Sequence, residues 1–189
     1  MSFREIVLKR RSVRKFADRP VTEGEITAVF EAARVAPSSN NSQPWRFVIV
    51  REKGKVEELA KCGPIISSPV IGFIANAPCI IVCCAEPGAL YHNAIKRLLP
   101  SDLAVIDVSI ATEHIVLAAA EIGLGSCWIG WISEKKVAKL LNLPKKWKVI
   151  AMLALGWPDK PLEAHEPKRK ALSEIAFDGS PEKPWCSID

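Results

Sequence analysis

The segment that most constrains this chain is LAVIDVSIATEHIVLAAAEI, residues 103–122. It reads as the longest helix, and Ile106, Ile110, Leu117, Ala118, Ala119 and Ile122 put apolar side chains on most of its sides. A helix apolar nearly all round must be covered on more than one face, within its own chain or by a second subunit. Gly123 ends it. With 189 residues the chain suits a single domain. A domain of that size buries roughly two thirds of its unfolded surface, so a core around such a helix is affordable.

The rest of the chain supplies elements to pack against it. Ser2-Phe-Arg-Glu5 and Thr22-Glu-Gly-Glu25 both read as capping boxes. The first opens a short helix with Phe3, Ile6 and Val7 on one face. The second opens a helix with Ile26, Val29, Phe30 and Ala33 at helical spacing, stopped by Pro37. RFVIV (46–50), CIIVCCA (79–85), SCWIGWI (126–132) and VIAMLALG (149–156) read as buried strands. Residues 52–62 read as a helix broken by Gly63 and Pro64, residues 88–99 as a short helix or lid ending at Pro100, and Ser133 caps a helix to Leu141. After Gly156 come Pro158, Pro161, Pro167, Pro181 and Pro184, and apolar periodicity is lost; this tail is expected to wrap over its own subunit or a partner.

Charge and cysteine usage exclude several functions. The net charge of +5 is modest, and its clusters, Lys9–Arg14, Lys145–Lys148 and Lys168–Lys170, lack any zinc spacing, helix-turn-helix or RNA-binding signature. No nucleic-acid partner is expected. The N-terminus, MSFREIVLKRR, is too charged and too short for a membrane span or a signal peptide, which points to the cytoplasm. The six cysteines (Cys62, Cys79, Cys83, Cys84, Cys127 and Cys186) match no metal or iron–sulfur spacing and read as small buried hydrophobes in a reducing compartment. His92, His114 and His165 are scattered, so no metal site is expected.

Three segments are candidates for chemistry. Arg10, Arg11, Ser12 and Arg14 put three guanidiniums and a hydroxyl within one short stretch; they could cradle a phosphate or simply form a charged helix end. Pro37-Ser-Ser-Asn-Asn-Ser-Gln-Pro-Trp45 is dense in short side chains that donate and accept hydrogen bonds. It suits a sugar-like chain or the polar edge of a heterocycle, or it is an ordinary polar loop. Gly123-Leu-Gly-Ser-Cys-Trp-Ile-Gly130 follows a helix and enters a strand, the reverse of the dinucleotide-binding order. Its small residues could instead let a backbone N–H approach a flat ring.

RRSVRKF, APSSNNSQPWRFVIV and GLGSCWIGW, in that order around a buried helix, resemble the FMN-dependent nitroreductase family. The resemblance covers about Phe3 to Leu172 and implies an α+β fold: a mostly antiparallel central sheet flanked by helices. It implies one domain over residues 1–189, with 157–189 as a C-terminal arm exchanged in a homodimer. It also implies non-covalent FMN at the interface, NADH or NADPH as donor, and a small-molecule acceptor such as a nitroaromatic or quinone, in a ping-pong cycle.

Carried over by position, Arg10, Ser12 and Arg14, ahead of Arg11, face the FMN phosphate and ribityl chain. Pro37, Ser38, Ser39 and Asn41 approach the flavin from the partner chain, and Gln43 its polar side. The Ile129 and Gly130 backbone lies near N5, and Arg169 with Lys168 completes the phosphate site. No catalytic side chain is expected, because the flavin carries the redox chemistry. Where some members have an Asn and a Lys at the pyrimidine edge, this chain has Val70 and Phe73. Tyr91 and His92 are candidates for shaping the substrate pocket. A specialised flavoenzyme of the same fold (a dehalogenase or flavin-remodelling enzyme) and a non-catalytic flavin-binding or redox-sensing module are the competing readings.

Overall fold

The computed structural model describes residues 1–63, 68–86 and 102–185, apart from the side chains of residues 68–71. The expected lid at 88–99, Tyr91, His92, Cys186 and the Val70 side chain lie outside the described residues. Six helices are described: α1 (Phe3–Lys9), α2 (Glu23–Arg34), α3 (Lys53–Ala60), α4 (Ser68–Ala75), α5 (Leu103–Glu121) and α6 (Glu134–Leu140). The strands are β1 (Trp45–Val50), β2 (Cys79–Ala85), β3 (Gly125–Ile129) and β4 (Lys148–Gly156).

Both capping boxes form. Ser2 Oγ and Thr22 Oγ1 each accept from the third helical N–H, and Glu5 and Glu25 accept from the cap N–H in return. The strands form one sheet in the order β1-β2-β4-β3, every neighbour antiparallel. β2 is buried at every position because it is covered on both faces. Cys79, Ile81, Cys83 and Ala85 pack with α2 and α5. Ile80, Val82 and Cys84 pack with Val56 and Leu59 of α3, Ile74 of α4 and Val137 of α6.

By length and composition α5 could cross a bilayer, with a mean hydropathy of 1.7. In this fold it is the core helix beneath the sheet: Ala104, Val108, Ala111, Ile115 and Ala119 are buried in the same cluster as Val29 and Ala33 of α2. Its other side leaves Ile106 46% exposed, and α1 leaves Phe3 70% and Val7 41% exposed.

Two details depart from the sequence reading. β3 stops at Ile129, not at residue 132, because the chain bends through 131 and 132 to start α6. α4 was not anticipated: SPVIGFIA carries a proline, a glycine and β-branched residues, and tertiary packing of Ile74 overrides that weak propensity. Beyond β4 the chain changes character. Among the described residues of the arm, 157–185, none is buried.

Candidate functional site

The stretch after α1 becomes a strap along the free edge of β3. Arg10 closes the helix, its N–H donating to the Ile6 carbonyl at 2.9 Å. Ser12 then bridges Ser126 in parallel, and the Val13 N–H donates to the Ser126 carbonyl at 2.9 Å. Val13 is buried, so its neighbours Ser12 and Arg14 project outward and are exposed. Gly125 makes this possible: a Cβ there would lie 2.6–2.9 Å from the Val13 side chain. Farther on, the Ala17 N–H donates to the Trp157 carbonyl at 2.8 Å, and the Asp159 N–H to the Lys15 carbonyl at 3.2 Å.

The three arginines of the strap differ in role. Arg11 turns toward backbone: Nη1 donates to the Leu8 and Arg10 carbonyls at 2.6 and 2.9 Å, and Nη2 to the Glu163 and His165 carbonyls at 3.2 Å each. It also meets His165 Nδ1. It thus ties the arm to the end of α1. Burial, then the charges of Arg10 and Arg169, lower its pKa, which puts these three guanidiniums within electrostatic range of one another. Arg14 keeps its guanidinium outward. Nη1 donates to the Ser12 carbonyl at 3.3 Å, and the group lies 5.8 Å from the centre of the Phe73 ring. Its charge opposes the upward push that burial gives the Cys127 thiol, so it reaches the flank of β3. A cleft of about 670 Å³ opens beside it, with Lys15, Arg51 and Lys53 set against Asp18 and Asp159.

The serine–asparagine loop is held in an unusual shape. Ser39–Asn41 form one 3₁₀ turn, and Asn40, Asn41 and Gln43 all have positive φ, at 49°, 52° and 45°. Asparagine tolerates this region better than most residues; glutamine does so less readily. Inside the loop the Gln43 N–H donates to Ser38 Oγ at 3.0 Å, and Gln43 Nε2 to the Asn41 carbonyl and Oδ1 at 3.2 and 3.0 Å. Pro37, Asn41 and Gln43 face solvent, while Ser38 and Ser39 are half-buried.

What holds the loop was not legible in the sequence. Asp107, on the mostly apolar α5, is only 2% exposed. Its Oδ1 accepts from the Ser39 N–H at 3.0 Å and from Ser39 Oγ at 3.1 Å, and its Oδ2 from Ser42 Oγ at 3.4 Å. The one signal available was an acidic residue in the second turn of a mostly apolar helix, where a buried unpaired charge would be costly.

At the far end of β3, Ile129 is buried and Gly130 is exposed, with nothing within 4 Å of where a Cβ would stand. From Ser126, beside Ser12, to Gly130 is about 13 Å at strand rise. Lys168 and Arg169 are both exposed, Arg169 Nη1 donating to the Lys168 carbonyl at 2.9 Å.

These residues fall into two groups. Strap and β3 end share one edge of the sheet, and the arm meets the strap at Arg11, with Arg169 within electrostatic range of it. The loop enters β1 at Trp45, on the opposite edge and at the opposite end: Trp45 pairs with Ala85, Ala85 with Lys148, and Gly125 with Gly156. Three strand spacings and the length of β4 separate loop from strap by on the order of 30 Å.

The family model described as the nitroreductase family matches residues 7–70 and 71–157. A putative NADH dehydrogenase/NAD(P)H nitroreductase from Archaeoglobus fulgidus is 31% identical over 166 residues, covering 86% of this chain and 88% of the relative. A 5,6-dimethylbenzimidazole synthase from Rhodospirillum rubrum is 28% identical over 166 residues, covering 79% of this chain and 78% of the relative. Among solved structures, an FMN-dependent nitroreductase from Clostridium difficile R20291 superposes with a TM-score of 0.77 at 29% identity, covering 93% of this chain and 99% of that one.

Proposed function

The chain belongs to the nitroreductase family, and on that premise we propose that it is an oxidoreductase holding FMN along the β3 edge. The observation that carries this reading is the strap. Exposed Ser12 and Arg14 stand at one end of an edge whose other end is the open Gly130 backbone. That spacing separates a phosphate from a ring. The donor set also suits FMN: guanidiniums at Arg10, Arg14 and Arg169 with Lys168 for a phosphate dianion, and a side-chain-free approach for a flat heterocycle.

Arg10, Ser12 and Arg14 would hold the phosphate and ribityl chain, with Arg169 and Lys168 closing over it. Arg11 contributes by fixing the arm to α1. The Ile129–Gly130 backbone would lie against the ring near N5. Pro37, Ser38, Ser39, Asn41 and Gln43 reach a flavin only from another copy of the chain, given their position across the sheet, so the reading includes a homodimer with two shared sites. The chemistry FMN supplies when bound is two-electron transfer from NADH or NADPH to a small nitroaromatic or quinone acceptor, in ping-pong order. The protein's part would be orientation: guanidiniums would neutralise charge at the phosphate end, and the β3 edge would orient the ring. No side chain is assigned a proton transfer. A cytoplasmic location is supported by free, buried Cys62, Cys79, Cys83, Cys84 and Cys127.

A second reading, a flavin-remodelling enzyme of the same fold, is favoured only by the likeness to the dimethylbenzimidazole synthase. One experiment separates the two. Purified protein is titrated with FMN and then given NADH or NADPH with a quinone or nitroaromatic acceptor. Stoichiometric FMN uptake and steady turnover are expected. Flavin uptake without turnover, or with loss of the flavin itself, would instead support the specialised readings, and no uptake would remove all of them.

A further inference from the structure

We propose that Asp107 is a positioning residue for the flavin-facing loop: its buried carboxylate holds Ser39 and Ser42 so that Pro37, Asn41 and Gln43 are presented outward. The inference rests on the reading of residues 37–43 as a flavin contact, and it divides those residues by role.

Asp107 lies in the second turn of α5 (Leu103–Glu121) and is buried on a helix that is otherwise a core element. An ionised carboxylate in such a place is strongly unfavourable unless donors surround it. The donors that face it come from the loop: the Ser39 N–H, the Ser39 hydroxyl and the Ser42 hydroxyl. They bracket the residues that need holding, because Asn40 and Asn41 lie between the two serines and Gln43 follows, all with positive φ. A loop in that conformation persists only when its surroundings over-determine it. Carboxylate acceptors make the stronger kind of hydrogen bond, suited to that task. Ser39 is therefore an anchor: its hydroxyl is engaged inward with Asp107. Ser38 is an internal brace for Gln43. Pro37, Asn41 and Gln43 remain as the outward contacts. Because the loop sits far from the strap of its own chain, Asp107 in one copy would set the flavin site built on the other.

Asp107→Ala, Asp107→Asn and the double variant Ser39→Ala/Ser42→Ala test this against Thr112→Val. Thr112 is equally buried on α5, but its hydroxyl donates to the Val108 carbonyl within the helix. Two quantities are read beside the melting temperature: FMN affinity by titration, and hydrogen exchange at the amides of residues 39–43. Asp107→Ala is expected to weaken FMN binding about tenfold or more, the scale of a lost hydrogen bond to a charged group, and to speed loop exchange. Asp107→Asn keeps an acceptor and should recover part of both. The serine double variant should reproduce the affinity loss while leaving the core intact, and it stands in if Asp107→Ala fails to fold. Thr112→Val should lower the melting temperature alone. Loop exchange and FMN affinity that track melting temperature equally in all four variants would overturn the assignment. If the unmutated protein takes up no FMN, the functional reading falls and this inference with it. If it binds FMN and the Asp107 and serine variants bind equally well, only this inference falls.

Discussion

At the scale of single residues, the site depends on one close approach. Gly125 has no side chain, so Val13 can sit against β3, and burying Val13 turns Ser12 and Arg14 outward. Gly125→Ala would place a methyl 2.6 Å from Val13 Cγ2 and push the strap off the strand. Overpacking of this kind is expected to cost about 1–3 kcal/mol of stability. Because the strap is displaced, FMN affinity should fall as well; thermal melts and flavin titrations of the variant measure the two effects. Unchanged affinity would separate the strap from the cofactor. The residue types of the strap were plain in the sequence, but their division of labour was not. The family resemblance set Arg11 behind Arg14 but did not say where it goes: Arg11 serves backbone carbonyls of α1 and the arm, while Arg14 faces out over Phe73. That distinction arises from where the arm crosses α1, a contact between residues far apart in the chain.

At the scale of elements, the strongest periodic segments were legible and the weak ones were not. α5 was readable because few polar residues interrupt it, and α1 and α2 because their capping boxes announce where they start. α4 was not, since its stability comes from packing on α3 and the sheet, not from propensity. β2 shows what full burial does to chemistry. Burial pushes the thiols of Cys79, Cys83 and Cys84 up to about 12. A thiol whose folded pKa is raised stabilises the fold fully below its ordinary value of 9.0, and that contribution is lost as pH rises toward about 12. Melting temperature should therefore decline across that alkaline window. At neutral pH the β2 thiols should resist alkylation until the protein unfolds, as mass spectrometry of labelled native protein would record. Rapid native labelling of Cys83 would contradict the placement of β2 between two helical layers.

At the scale of the whole molecule, two observations meet. The loop and the strap stand at opposite corners of one sheet, and the chain leaves apolar surface on the elements that would join two copies. That surface includes Phe3 and Val7 of α1, Ile106 of α5, and Leu172, Ile175, Phe177 and Trp185 of the arm. Monomeric proteins seldom leave large contiguous apolar areas open. A second copy would cover these residues and bring each loop to the other's strap. The need for a covered helix could be read in the sequence; the diagonal separation could not, since it follows from strand order and register. An FMN site built this way needs two chains to complete it. Sedimentation of the purified protein, followed at once by protein and by flavin absorbance, tests it most directly. One species with the mass of two chains, carrying two FMN, is expected. A flavin that sediments with a single chain, or a dimer that binds none, would contradict it.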